Sequence, residues 1–265
     1  MRRRLLNMAL TMVAALGAAG GLWAQDAPPP GPGQADEIVN RMLAALGGDT
    51  FLQAREMTAL GRIYDFNRGQ LASAGERFVY YAQFPGKERI EFGKKGNIVY
   101  VNDNDQGWEL DRQGIRESSP EQVEDFQQSN RRDVQNLLRF RARKEKMQLY
   151  YLGREFADIR RVHVLELVDE RGDSYKLWVD ATNYLPLQLR YRVRDPLTRE
   201  WVEVVEYYGK YVTVQGIATA MHMMRERGGL RSLEVYFSEV DYRTPVPDAL
   251  FTRASLEERW AKVKK

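Results

Sequence analysis

From Met57 onward the chain consists of short segments in which apolar and polar residues alternate, divided by Gly, Asn and Asp, and helical spacing interrupts the series once. Alternation with period two puts successive side chains on opposite faces of a pleated strand. Segments 57–66, 76–84, 88–92, 97–101 and 107–111 read as strands, rich in the Tyr, Phe, Val and Ile that half-buried pleats favour. After the interruption Val162, Val164 and Val168 alternate with His163, Leu165 and Leu167, then Tyr175, Leu177 and Val179 with Lys176 and Trp178. Leu189, Tyr191 and Val193 alternate with Arg190, Arg192 and Arg194, one dry face against one wet one, and 201–208, 215–225 and 230–240 follow. About ten or more antiparallel strands in succession, with the helical segments, predict an α+β fold on a single strongly curved sheet, because so wide a sheet twists and curls. No internal repeat or Pro/Gly/Ser-rich break divides residues 35–265, which are expected to form one domain.

Helical spacing marks two segments, 35–46 and 120–146. In residues 35–46, Ile38, Met42, Ala45 and Leu46 recur at helical spacing, Asp36 and Glu37 occupy the first turn, and Gly47-Gly48 stops the run. The interruption at 120–146, capped by Ser118 or Ser119, gathers Val134, Leu137 and Leu138 on one stripe. Arg131, Arg132, Arg139, Arg143 and Lys146 spread around the rest as a basic outer face. That face reads either as an ordinary solvated surface or as a contact for anionic lipid or a membrane partner.

Arg2, Arg3 and Arg4 precede an apolar stretch from Met8 to Ala19 and the tripeptide Leu22-Trp23-Ala24, the layout of a secretory signal peptide over 1–24 cleaved after Ala24, with Ala19 as the alternative site. Export to the periplasm follows. Residues 25–34, with DAPPPGPGQ, form a Pro/Gly-rich tether. The leader holds three arginines and no acid, so the rest of the chain keeps 37 of the 40 basic groups against 37 acidic ones. Such a balance gives no support for a nucleic-acid partner.

With no Cys and two His, the chain has no thiolate nucleophile, no Cys-ligated metal and few routes to catalysis. It contains no GxSxG, HExxH or Gly-rich phosphate loop. No catalytic residue, cofactor or metal is expected. Met221-His222-Met223-Met224 carries soft ligands, but a strand would divide them between two faces.

The early helix ending in LGG, DNDQGWELD, YKLWVDATNYLPLQLRYR, VQGIATAMHM and the closing SEVDYRTPVPDALFTRASL occur in an order that resembles the LolA/LolB-like periplasmic lipoprotein-carrier superfamily. The resemblance spans most of the chain from Ala35 to about Leu256. It implies an incomplete antiparallel barrel whose apolar concave face, covered by helices, shelters acyl chains of lipids or lipoproteins. An inner-membrane transporter or an outer-membrane receptor would then be the protein partner. A sensory or scaffold module that binds a partner protein is the alternative role for the same fold. In the carrier an arginine precedes a proline and helps hold the lid closed, whereas YYAQFPGKERIEF has Phe84 before Pro85. That latch does not carry over.

The residues expected to line such a trough are Tyr80, Phe92, Tyr100, Trp108, Trp178, Tyr191, Tyr207 and Phe237 from the strands, with Val134, Leu137 and Leu138 from the 120–146 segment, which the resemblance implies is a lid. For each, ordinary core packing is the competing reading.

Overall fold

The computed structural model describes residues 33–93, 97–142, 145–195 and 198–263. The expected leader 1–24 and all but the last two residues of the tether lie outside them. Helix α1 (Gln34–Leu46) presents Ile38, Val39, Met42, Leu43 and Leu46 on one buried face and ends where Gly47 turns the chain with φ 125°. A short helix α2 (Asp49–Gln53) follows and buries Phe51. Neither α2 nor the last helix was expected from the sequence.

The strands are β1 (Glu56–Asn67), β2 (Gln70–Leu71), β3 (Glu76–Gln83), β4 (Lys87–Phe92), β5 (Ile98–Asp103), β6 (Gln106–Asp111) and β7 (Gly114–Glu117), then, beyond the helical interruption, β8 (Gln148–Ala157), β9 (Arg160–Val168), β10 (Ser174–Asp180), β11 (Pro186–Arg194), β12 (Trp201–Val214), β13 (Ile217–Arg227) and β14 (Leu230–Asp241). They form one 14-stranded antiparallel sheet in the order β7-β6-β5-β4-β3-β1-β14-β13-β12-β11-β10-β9-β8, with β2 paired only to β1. Two meanders, β3 to β7 and β8 to β14, are joined because β1 pairs with β3 on one side and β14 on the other. The sheet does not close. Its two edges, β7 and β8, are consecutive strands, and the helical segment between them connects one edge to the other. Strand β8 was missed in the sequence reading; its alternation is interrupted by a register shift between Tyr151 and Gly153.

Tight turns and close approaches keep this sheet in register. Gly228 and Gly229, both at positive φ (58° and 75°), make the two-residue turn from β13 to β14 that hairpins prefer. Gly61 lies beneath the Phe78 ring and against the Tyr236 carbonyl, leaving no room for a Cβ.

The interruption divides into separate helical elements. Helix α3 (Pro120–Arg132) starts with a Ser119–Gln122 capping box, resolving the choice of cap, and buries no residue. Then α4 (Val134–Asn136), capped by the Asp133 side chain, runs into a π-helical turn over Leu137–Arg141 that is almost wholly buried. The expected basic outer face is therefore corrected. Arg139 and Arg141 are 3% and 5% exposed, and Arg131 and Arg141 both bond Asp169 in the β9–β10 turn, at 2.9 and 2.7 Å. Arg143 falls outside the described residues.

The main core joins the apolar face of α1 to Leu165, Leu167, Leu177, Leu189 and Val204 on the inner side of β9 to β12, with Leu137 and Leu138 inserted. On the opposite, convex side, a 3-10 turn (Asp248–Phe251) and helix α5 (Arg253–Val263) cover β5 and β6, packing Phe251 and Leu256 on Val99, Val101 and Leu110. Among the described residues no helix is long and apolar enough to cross a membrane.

Candidate functional site

Register decides which side chains meet on the concave face. Tyr80 stands opposite Ala59 and Ile90, and Phe78 opposite Gly61 and Phe92, so β1, β3 and β4 turn one apolar row inward. From the other meander, Tyr208 opposes Met223, Met223 opposes Val235, and Val235 opposes Ile63. These rows face each other across a cavity of about 370 Å³, which residues from both meanders line. Only a sheet curled on itself brings them together. The volume is at the lower end of the roughly 300–1,000 Å³ of small-molecule sites. Phe126 of α3, with Val134 and Leu138 of the following segment, covers it.

Of the residues expected at the trough, Tyr80, Phe92, Val134, Leu138 and Phe237 line this cavity. Phe78 meets Phe237 edge to face at 5.8 Å and belongs to the same wall, although the sequence reading passed over it. The others lie elsewhere. Leu137 is fully buried in the main core. Tyr191 is in that core too, donating its hydroxyl to Glu206 at 3.0 Å. Tyr100 is on the inward row opposite Ile90, but 40% exposed and outside the cavity, with its ring edge-on to Phe92. Trp108, Trp178 and Tyr207 are on the convex side. Trp108 packs into the cluster under α5, Trp178 donates to Glu155 at 3.0 Å with Arg190 stacked 4.2 Å above it, and Tyr207 bonds Glu226.

On β12 the inward residues are Val204, Glu206 and Tyr208, because Glu206 opposes the inward Leu189 and Arg225. Glu206 is 4% exposed. Its carboxylate accepts bonds from Arg225 (2.7 Å), Tyr191 (3.0 Å) and Tyr208 (2.6 Å), and it is the main cause of a raised Arg225 pKa. The buried ion pair is therefore internally satisfied.

Two further carboxyl groups line the cavity, and among the described residues neither has an ion-pair partner. Burial pushes Glu88 up to about 7, helped by the nearby Asp133 charge and opposed by hydrogen bonds from Tyr80 and Asn102. Burial also pushes Asp133 up to about 6, with Glu206 adding repulsion and the Asn136 N–H and Arg139 opposing it. Arg139 stacks 4.4 Å from the centre of the Phe51 ring and 4.5 Å from that of Phe84, two rings of the cavity wall. Phe84 is thus packed against an arginine of the helical segment.

The two histidines are outside this site. His163 is buried and bonds the Tyr151 hydroxyl at 3.0 Å, while His222 faces away from Met223, on the convex side, and bonds Glu234 at 2.8 Å. Among the described residues no group of three or more His, Asp or Glu is placed to hold a metal ion.

No family model matches this chain, and no curated protein does. Solved structures do match. A DUF1329 family protein from Desulfovibrio piger superposes with a TM-score of 0.60 at 16% identity, covering 84% of this chain and 98% of that one. A putative outer membrane lipoprotein-sorting protein domain from Vibrio parahaemolyticus gives 0.56 at 15% identity over 84% and 99%. A LolA superfamily protein from Nitrosomonas europaea gives 0.55 at 15% identity, also over 84% and 99%. The chain has the LolA-like fold.

Proposed function

We propose that this protein is an exported carrier or binding protein of the cell envelope that shelters an acyl chain of a lipid or lipoprotein in its concave cavity, and that it is not an enzyme. The carrying observation is the apolar cavity lined from both meanders and covered by the helical segment. Each methylene withdrawn from water is worth about 0.8 kcal/mol, so a long chain crosses an aqueous compartment only inside such a shelter. Support for the compartment comes from the leader pattern at 1–24 and from the fold shared with a putative outer membrane lipoprotein-sorting domain. A part in outer-membrane lipoprotein sorting, with an inner-membrane transporter or an outer-membrane receptor as partner, is the finer form of this reading.

Native mass spectrometry and organic extraction of protein purified from the periplasm should yield a bound lipid, and a fluorescent fatty-acid probe should bind and be displaced by it. Repeated absence of both would overturn the proposal.

A further inference from the structure

Among the described residues the most exposed large apolar side chain is Ile159, 94% open in the two-residue turn from β8 to β9, and at the end of β8 beside it Phe156 is 69% open. Such exposure leaves Ile159 almost free of neighbours. Phe156 stands opposite Arg161 across the hairpin, and the Arg161 guanidinium lies over its ring, 5.9 Å from the centre. Arg154 and Arg160 flank the same tip. Arg160 reaches Asp180 at 3.3 Å, whereas among the described residues neither Arg154 nor Arg161 has a carboxylate partner. Of the two acids at the tip, Glu155 accepts the Trp178 indole N–H at 3.0 Å and so is turned back over the sheet, which leaves Asp158 in the turn itself. Two apolar side chains are thus surrounded by three guanidinium groups.

The shape and chemistry of this tip fit a lipid surface better than a protein one. A stable protein interface takes about 800 Å² from each partner, more than two side chains on a protruding turn supply. A bilayer accepts single apolar side chains at its acyl boundary, while arginines beside them lay their stems along the interface and keep their charges at the phosphates. Farther back on the free edge of the sheet, Tyr150 and Leu152 are also exposed. An added strand from a partner would cover those two but would not reach Ile159 in the turn, and the register shift between Tyr151 and Gly153 breaks the regular edge that such a strand needs.

We infer that the β8–β9 turn is a peripheral membrane-docking tip, with Phe156 and Ile159 entering the interface of an anionic bilayer and Arg154, Arg160 and Arg161 engaging the lipid phosphates. The inference does not depend on what the cavity holds. Because successive strands are antiparallel, this turn and the β3–β4 turn, whose Pro85 carbonyl accepts a bond from Asn136 of the helical segment, lie on the same rim of the curled sheet. Docking therefore turns that rim, and with it one end of the cavity's cover, towards the membrane.

The test is flotation of the protein with vesicles of phosphatidylcholine containing about a quarter phosphatidylglycerol, and with vesicles of phosphatidylcholine alone. The protein should float with the anionic vesicles, less with the neutral ones, and less at high salt. Phe156→Ser/Ile159→Ser should weaken binding to the anionic vesicles by about tenfold or more, and Arg154→Gln/Arg161→Gln by roughly fivefold for each arginine. All four side chains are exposed, so circular dichroism and melting temperature should stay as in the native protein. The chain has no cysteine, so an environment-sensitive fluorophore can be placed on Ile159→Cys alone. Its emission should shift to the blue on adding anionic vesicles, while the same label on Arg112→Cys, in the β6–β7 turn at the opposite rim, should not respond. Absence of flotation, flotation unchanged in Phe156→Ser/Ile159→Ser, or a response at position 112 and none at 159 would each overturn the inference. So would crosslinking of Ile159→Cys to a partner protein in cells without any binding to vesicles, which would make the tip a protein contact.

Discussion

Asp169 shows how one side chain anchors the cover of the cavity. Burial alone would push its carboxyl up, but N–H groups of Asp173 and Arg171 and the guanidinium groups of Arg141 and Arg131 outweigh burial and hold it below the ordinary carboxylate range. Ionised Asp169 therefore stabilises the fold above the unfolded carboxylate pKa of about 4, and the stabilisation is lost as pH falls through the depressed native value. Asp169→Asn should cost about 3–5 kcal/mol in urea unfolding at neutral pH, as breaking a buried pair does. It should also flatten the acid limb of the stability profile. Glu88 acts with the opposite sign. Because its native pKa is raised, the neutral form favours the folded state, and that contribution is lost as pH rises from about 4 through about 7. Glu88→Gln should raise the melting temperature at about pH 8 and change it little near pH 4; an equal gain at both would contradict the assignment. Few of these roles are legible in sequence. A glutamate inside an alternating strand reads as a wet-face residue, and on β12 that reading points Tyr207 inward, whereas Glu206 is buried against Arg225 and it is Tyr208 that lines the cavity.

The helical segment divides into two elements with different stability. Residues 134–142 are locked by Leu137 and Leu138 in the core, by Arg139 among aromatic rings and by Arg141 on Asp169. Helix α3 has no buried residue and reaches the cavity through Phe126 and the residues of its last turn. Leu137→Ala should cost about 2–5 kcal/mol, the usual range for a core leucine. Phe126→Ala should leave stability nearly unchanged yet alter acyl-probe binding. Hydrogen exchange should be fast in α3 and slow from 134 to 142. If α3 is as protected as the π-helical turn, it is a fixed wall and not the opening part of the cover. The helical period at 120–146 and the stripe of Val134, Leu137 and Leu138 were legible. The break at Asp133 was not, since it depends on where the segment meets the β3–β4 turn and the β9–β10 turn.

At the scale of the molecule, one sheet carries a core on each side, with α1 and the π-helical turn over the concave face and α5 over part of the convex one. Strand β1, hydrogen-bonded to both meanders, ties them into one body. Unfolding followed by tryptophan fluorescence and by far-ultraviolet circular dichroism should therefore give coincident single transitions. Two separated transitions would mean that the β3–β7 and β8–β14 meanders fold independently. Strand periodicity, turn residues and the amphipathic pattern of α1 determined the large antiparallel sheet and its helices, because these signals are local and repeat along the chain, whereas the covered concave face was implied by the family resemblance. The face of Trp108, Trp178 and Tyr207 was decided only by tertiary structure. Alternation assigns residues to two faces but does not say which is concave when both are apolar, and here α5 and the paired Glu206 remove the polar contrast that would have told them apart.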